Sequence, residues 1–283
     1  MTRFFLVLAL AVATTACSPT NPQQGGLDTA KIEAGIDRQL GGRGTCVVLT
    51  DIRSGQIVYQ YGSAEPCMSA LPPCATFNIV TGLVGLDNGL ITDKTVLKWD
   101  GTPQPSGLWQ ADADMAKAFK GSILWWWQRT AVSVGRDRFV LGLKRLDYGD
   151  KNPDGPAKSF WLGAENGGAL TISTRQQADF LRRLYVGRLA VKPETTALMQ
   201  GLLVDEIRTD SKGGKATMSG VGGSCATASD GSRSVGWWVG RLQTPVRDLV
   251  FAASVEGEDA PPGVEVQRRV KEIFAGAGLW PAG

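Results

Sequence analysis

Cys74 stands immediately ahead of an apolar stretch, Thr76 to Leu86, in which Phe77, Ile79, Val80, Leu83, Val84 and Leu86 suit a largely buried helix. A thiol just before a helix N-terminus has a lowered pKa and can act as a nucleophile. Ala75 and Asn78 lie one helical turn apart at the same place. A serine and a lysine at that spacing would set an amine beside the hydroxyl it deprotonates, where the helix N-terminus favours developing negative charge. This chain carries neither. Histidine is absent, so a Ser-His-Asp or Cys-His relay and a His-ligated zinc site are excluded. Acid–base chemistry must use Lys, Asp, Glu, Tyr or Cys.

Thr76 offers a hydroxyl near the helix start, but its side chain points about 100° around the helix axis from position 75. A threonine packed at the helix start is the simpler reading. Cys46, Cys67, Cys74 and Cys225 allow three full pairings. Cys67 and Cys74 are close enough in sequence to close a small loop, and that pair is expected as a disulfide, which would remove the reactive thiol. Cys46 and Cys225 then read as buried thiols. Trp125-Trp126-Trp127 and Trp237-Trp238 suggest an aromatic platform, yet three consecutive tryptophans on a helix cannot share one face, so core packing is the better account.

The elements that must position these groups follow from periodicity. Helices are predicted over 31–40, 76–86, 115–134, 138–146, 174–185, 193–203 and 264–275, with Asn88-Gly89 stopping the second. Strands are predicted over 46–49 and 57–61 around the turn Arg53-Ser54-Gly55, and over 216–218, 235–241 and 249–255. Residues 93–114 and 147–168 read as loops. Strands at both chain ends around a helical middle argue for an α+β architecture in which one antiparallel sheet is completed by N- and C-terminal strands. At 283 residues and 43% hydrophobic content, the chain can bury a sizeable core. No internal repeat is evident.

The segment Pro73-Cys74-Ala75-Thr76-Phe77-Asn78-Ile79 resembles the Pro-x-Ser-Thr-Phe-Lys-Ile motif of class D serine β-lactamases, the oxacillinases. The resemblance places Ala75 where the nucleophilic serine belongs and Asn78 where the carbamylated lysine belongs. It runs on through Gly89-Leu90-Ile91-Thr92-Asp93 and Lys98-Trp99-Asp100-Gly101-Thr102-Pro103. Ser122-Ile123-Leu124 resembles the Ser-x-Val element, which implies that Ser122 takes the place of the proton-shuttling serine. Tyr148-Gly149-Asp150 is similar to Tyr-Gly-Asn, and Phe160-Trp161-Leu162 resembles the Ω-loop, where Trp161 would pack against the modified lysine. Gly236-Trp237-Trp238-Val239-Gly240 looks like the strand beside the Lys-Thr-Gly strand. Gly220-Val221-Gly222-Gly223 is set on Gly-Lys-Thr-Gly, replacing the anchoring lysine by Val221; a rival register puts Lys215-Ala216-Thr217 there.

The resemblance implies a β-lactamase/transpeptidase-like fold over 29–283. It also implies a pocket formed by Ala75, Asn78, Ser122, Leu124, Tyr148, Trp161, Val221, Gly222 and Gly223, with no catalytic set intact. The expected function is that of an inactive relative that binds cell-wall peptide, β-lactam or an envelope protein. The alternative is residual β-lactamase activity, or another serine or cysteine hydrolase with a non-standard nucleophile. A sensor domain like the penicillin receptors is disfavoured, because those still acylate. No cofactor or metal is expected.

Residues 1–16 read as a signal peptide, with Arg3 ahead of the apolar run Phe4 to Ala13 and small residues before Cys17. That run is too short to span a bilayer. Cys17 resembles a lipoprotein acceptor, and 17–28 would be a flexible tether; plain cleavage into the periplasm is the alternative. Export makes disulfides reasonable. A lipid on Cys17 would be the sole membrane attachment, and a net charge of +3 without a basic stripe argues against nucleic acid.

Overall fold

A computed structural model describes residues 26–281 except Arg43. The proposed leader and Cys17 lie outside the described residues. Asp28 opens the first helix, its carboxylate accepting from the Lys31 amide at 3.1 Å. The elements then run α1 (Thr29–Gln39), β1 (Thr45–Asp51), β2 (Ile57–Tyr61), α2 (Ala64–Met68), a 3₁₀ turn (Cys74–Phe77), α3 (Asn78–Asp87), α4 (Met115–Lys120), α5 (Leu124–Val134) and α6 (Arg136–Leu146). They continue with α7 (Thr174–Tyr185), α8 (Pro193–Leu202), β3 (Val204–Thr209), β4 (Lys215–Ala226), β5 (Ser234–Gln243), β6 (Asp248–Gly257) and α9 (Gly263–Gly276).

The six strands form one antiparallel sheet in the order β2-β1-β6-β5-β4-β3. Terminal strands complete it, as the α+β pattern predicts. Val48 lies opposite Ala252, and Val239 lies opposite both Ala252 and Val221, which fixes the central register. Alternation along each strand divides the core between two faces. Trp238, Phe251 and Val47 pack with Ile32 and Ile36 of α1 and Phe274 of α9. Trp237, Val239 and Val221 face the helical side, with Phe77, Leu83 and Trp127. Trp125, Trp126 and Trp127 are all buried there.

Several sequence-derived elements change. The single helix expected over 115–134 is two: the Gly121 amide closes α4 on the Lys117 carbonyl, Ser122 takes a left-handed φ of 47°, and Ile123 is extended. The helix expected from Thr76 starts as a 3₁₀ turn at Cys74 and becomes α-helical at Asn78. β3 escapes the hydropathy pattern because neither of its faces is buried: Asp205, Ile207 and Thr209 are exposed, and Glu206 and Arg208 share the half-buried face with Val204. β4 extends well past 216–218 through the glycine-rich stretch, since β5 pairs with it from Thr217 to Ala226.

The expected Cys67–Cys74 disulfide is corrected to two others. Cys46 pairs with Cys67 across a Cα separation of 5.2 Å, and Cys74 pairs with Cys225 across 5.6 Å. Nearness in sequence did not decide the matter, because α2 carries Cys67 under β1 while the turn at Cys74 faces β4. Cys46 and Cys225 are therefore not free thiols. Among the described residues no helix is long and apolar enough to cross a membrane.

Candidate functional site

The site is assembled where the 3₁₀ turn meets β4. Three contacts hold the turn from different elements. The Trp237 indole N–H donates to the Pro72 carbonyl at 2.9 Å, the Cys74 amide donates to the Trp161 carbonyl at 3.0 Å, and the Cys74–Cys225 disulfide ties the turn to β4. Gly223 completes the join. A Cβ there would stand 2.6 Å from the Ala75 nitrogen and 2.9 Å from its Cβ, so no larger residue fits without displacing backbone.

β4 presents backbone donors at this join. The Gly220 amide donates to Leu203, on the edge away from β5, at 2.8 Å. Ladder alternation aims the Gly222 and Ser224 amides off the same edge, beyond the point where β3 begins. The Ala75 amide belongs to the first turn of its helix, where N–H groups have no intrahelical acceptor. The geometry thus gathers N–H donors suited to a carbonyl or carboxylate oxygen.

The side chains do not supply covalent chemistry to match. Ala75 is half-buried and has nothing to attack with, and Asn78 is buried, its Oδ1 without a protein partner. The Thr76 hydroxyl is occupied twice, donating to the Pro73 carbonyl at 2.6 Å and accepting from Gln177 Nε2 at 2.7 Å. Cys74 is oxidised. Tyr148 is fully buried, and burial pushes its phenol far above the ordinary range, offset only in part by the neighbouring Thr76 and Gln177. It stays neutral at any physiological pH.

Trp161 stacks on Phe77 with ring centroids 5.4 Å apart, and its indole N–H has no protein acceptor. Ser122 is exposed, at the left-handed break between α4 and α5, and Leu124 opens α5 half-buried. Val221 is buried in the helical-side core, and Gly222 abuts the Gly263 carbonyl. Lys215 pairs with Thr209 at the far end of β4, eight residues from Gly223 or roughly 26 Å along a strand, and does not come near Ala75.

Two members of the site are not marked by any sequence motif. Cys225, whose sequence context suits a packed thiol, is bonded to Cys74. Gln177 sits with Thr174, Ala178 and Leu181 on the buried stripe of α7, and its signal in the sequence is that a polar residue on an apolar stripe needs a partner. Among the described residues, no cluster of three or more His, Cys, Asp or Glu is placed to hold a metal ion.

Residues 45–275 match the penicillin-binding-protein transpeptidase domain. The chain belongs to that family and is class D β-lactamase-like. It is 32% identical to β-lactamase OXA-10 of Pseudomonas aeruginosa over 197 residues, covering 67% of this chain and 69% of that enzyme. It is 27% identical to the regulatory protein BlaR1 of Bacillus licheniformis over 225 residues, which is 79% of this chain. That match spans only 35% of BlaR1's length. The fold is shared with BPu1 β-lactamase, at a TM-score of 0.76, 24% identity and coverage of 88% of this chain and 98% of that one. The class D enzyme YbXI from Nostoc gives the same TM-score and identity over 88% and 99% of the two chains.

Proposed function

We propose that this class D β-lactamase-like chain binds a β-lactam or a peptidoglycan stem peptide without hydrolysing it. The observation that carries the reading is Ala75. At the position matching the family's nucleophilic serine there is a methyl group, one turn from an amide in place of a lysine. The backbone donors around it suit an acyl oxygen, so recognition can outlast catalysis. An envelope protein as ligand is the other form of the same binding role.

Export completes the proposal: residues 1–16 as leader, 17–28 as tether, the domain over 29–283, and a periplasmic or outer-membrane location with Cys17 as the lipid site. Two disulfides favour an oxidising compartment.

The test combines three measurements on the full chain. A chromogenic cephalosporin should show no turnover, fluorescent penicillin should leave no covalent label, and calorimetry with benzylpenicillin should show reversible binding. Turnover abolished by Ser122→Ala would overturn the reading in favour of a hydrolase with a non-standard nucleophile. Ser122 is the exposed hydroxyl that gives that alternative its footing.

A further inference from the structure

Cys74 adopts a φ of 51°, one of four non-glycine residues in the left-handed region among those described. An L-residue with a Cβ is disfavoured there, and asparagine, aspartate and glycine are the usual exceptions. The Cys74 sulfur lies 3.4 Å from the Pro72 carbonyl but, as half of a disulfide, has no proton to donate, so no side-chain hydrogen bond compensates and the conformation persists because the surroundings impose it. Distant segments hold it: the Cys74 amide donates to the Trp161 carbonyl, the Pro72 carbonyl accepts from the Trp237 indole, and the sulfur is bonded to Cys225.

Cys225 lies two residues beyond Gly223 on β4, so the two residues share a strand face. That face meets the turn twice, once through Gly223 against Ala75 and once through the disulfide. β4 itself has no need of the bridge, because it is already paired with β5 through Ala226. Cys46–Cys67, by contrast, joins β1 to α2 and touches neither Ala75 nor β4.

We infer that Cys74–Cys225 is a positioning element of the ligand site: it holds the turn before Ala75 in the left-handed conformation against Gly223, and so fixes the Ala75 amide relative to the Ser224 amide. Affinity for an oxygen acceptor at this notch therefore depends on the bridge. That last consequence rests on the proposed binding function, whereas the positioning of the turn does not.

Hydrogen exchange on the full chain separates the two. The paired variant Cys74→Ala with Cys225→Ala should accelerate amide exchange in 72–78 and 220–226 by about tenfold or more beyond any rise in the slow amides of β1 and β6, which report global stability. Cys74→Gly with Cys225→Ala should bring that local excess down to about threefold or less, because glycine adopts φ near 50° freely. Cys46→Ala with Cys67→Ala should give both segments no acceleration beyond that of the same slow amides. Unaltered exchange in the first variant, equal acceleration in the glycine variant, or a uniform rise across the whole sheet would overturn the inference. Benzylpenicillin calorimetry on the same variants reads the consequence: binding weakened in the alanine pair and recovered in the glycine pair supports it, and equal affinity in all three overturns it. If even the parent fails to bind, the proposed function falls and the exchange pattern still decides the positioning role.

Discussion

The Trp237 indole N–H meets the Pro72 carbonyl at 2.9 Å across a separation of 165 residues. Trp238, its neighbour on β5, points the opposite way and packs on Phe251 with centroids 4.4 Å apart. One Trp-Trp pair therefore anchors the α9 side of the sheet with one ring and the entrance to the candidate site with the other. The C-terminal half of the chain fixes the backbone ahead of Ala75.

Gly223→Ala should destabilise the protein by about 1–3 kcal/mol, because the added methyl meets Ala75 backbone rather than a movable side chain. Urea unfolding checks this. Gly222→Ala, whose methyl would approach the Gly263 carbonyl only to 3.1 Å, should be the milder of the two.

Thr76→Val removes the hydroxyl that both donates to Pro73 and accepts from Gln177, leaving a buried amide unpaired. The expected loss is about 1–3 kcal/mol. Gln177→Leu in the same chain should recover part of it, and a double-mutant cycle measured by denaturant titration gives the coupling.

Tyr185 sets an alkaline limit. Burial pushes its phenol from 10.0 up to about 12, with Ser219 and the Arg241 guanidinium pulling part of the way back. A raised phenol pKa means the fold favours the protonated form, so this contribution is complete below pH 10 and is lost as the pH rises toward 12. Tyr185→Phe should leave stability at pH 7 within about 1 kcal/mol of the parent and should shrink the fall above pH 10, both read by circular dichroism during denaturant titration.

Removing the Cys46–Cys67 bridge as a pair of alanines should lower stability by about 3 kcal/mol on a chain-entropy basis, given its sequence separation of 21. Calorimetric melting provides the measurement. A drop confined to a few tenths would mean that β1 and α2 are held by packing alone.

Double restoration, Ala75→Ser with Asn78→Lys, should give a chain that fluorescent penicillin labels covalently on the introduced hydroxyl, with Gly223 and Trp161 unchanged around it. Absence of label would place a further defect in the pocket, with Val221, buried on β4 beside Gly222 and Gly223, the first candidate.

The sequence by itself determined the class of fold, the buried helix behind Ala75, and the absence of any histidine relay. Local periodicity, composition and motif spacing carry that information directly. It also placed Trp125 to Trp127 in the core, since no helix can turn three consecutive side chains to one ligand. The tertiary structure alone decided the disulfide pairing, the break at Ser122 and the partnership of Thr76 with Gln177. It also decided which end of β4 lies against Ala75. Each of these joins residues distant in the chain or fixes a backbone angle that only long-range contacts can hold, and nothing in a local stretch of sequence encodes which distant segment will arrive beside it.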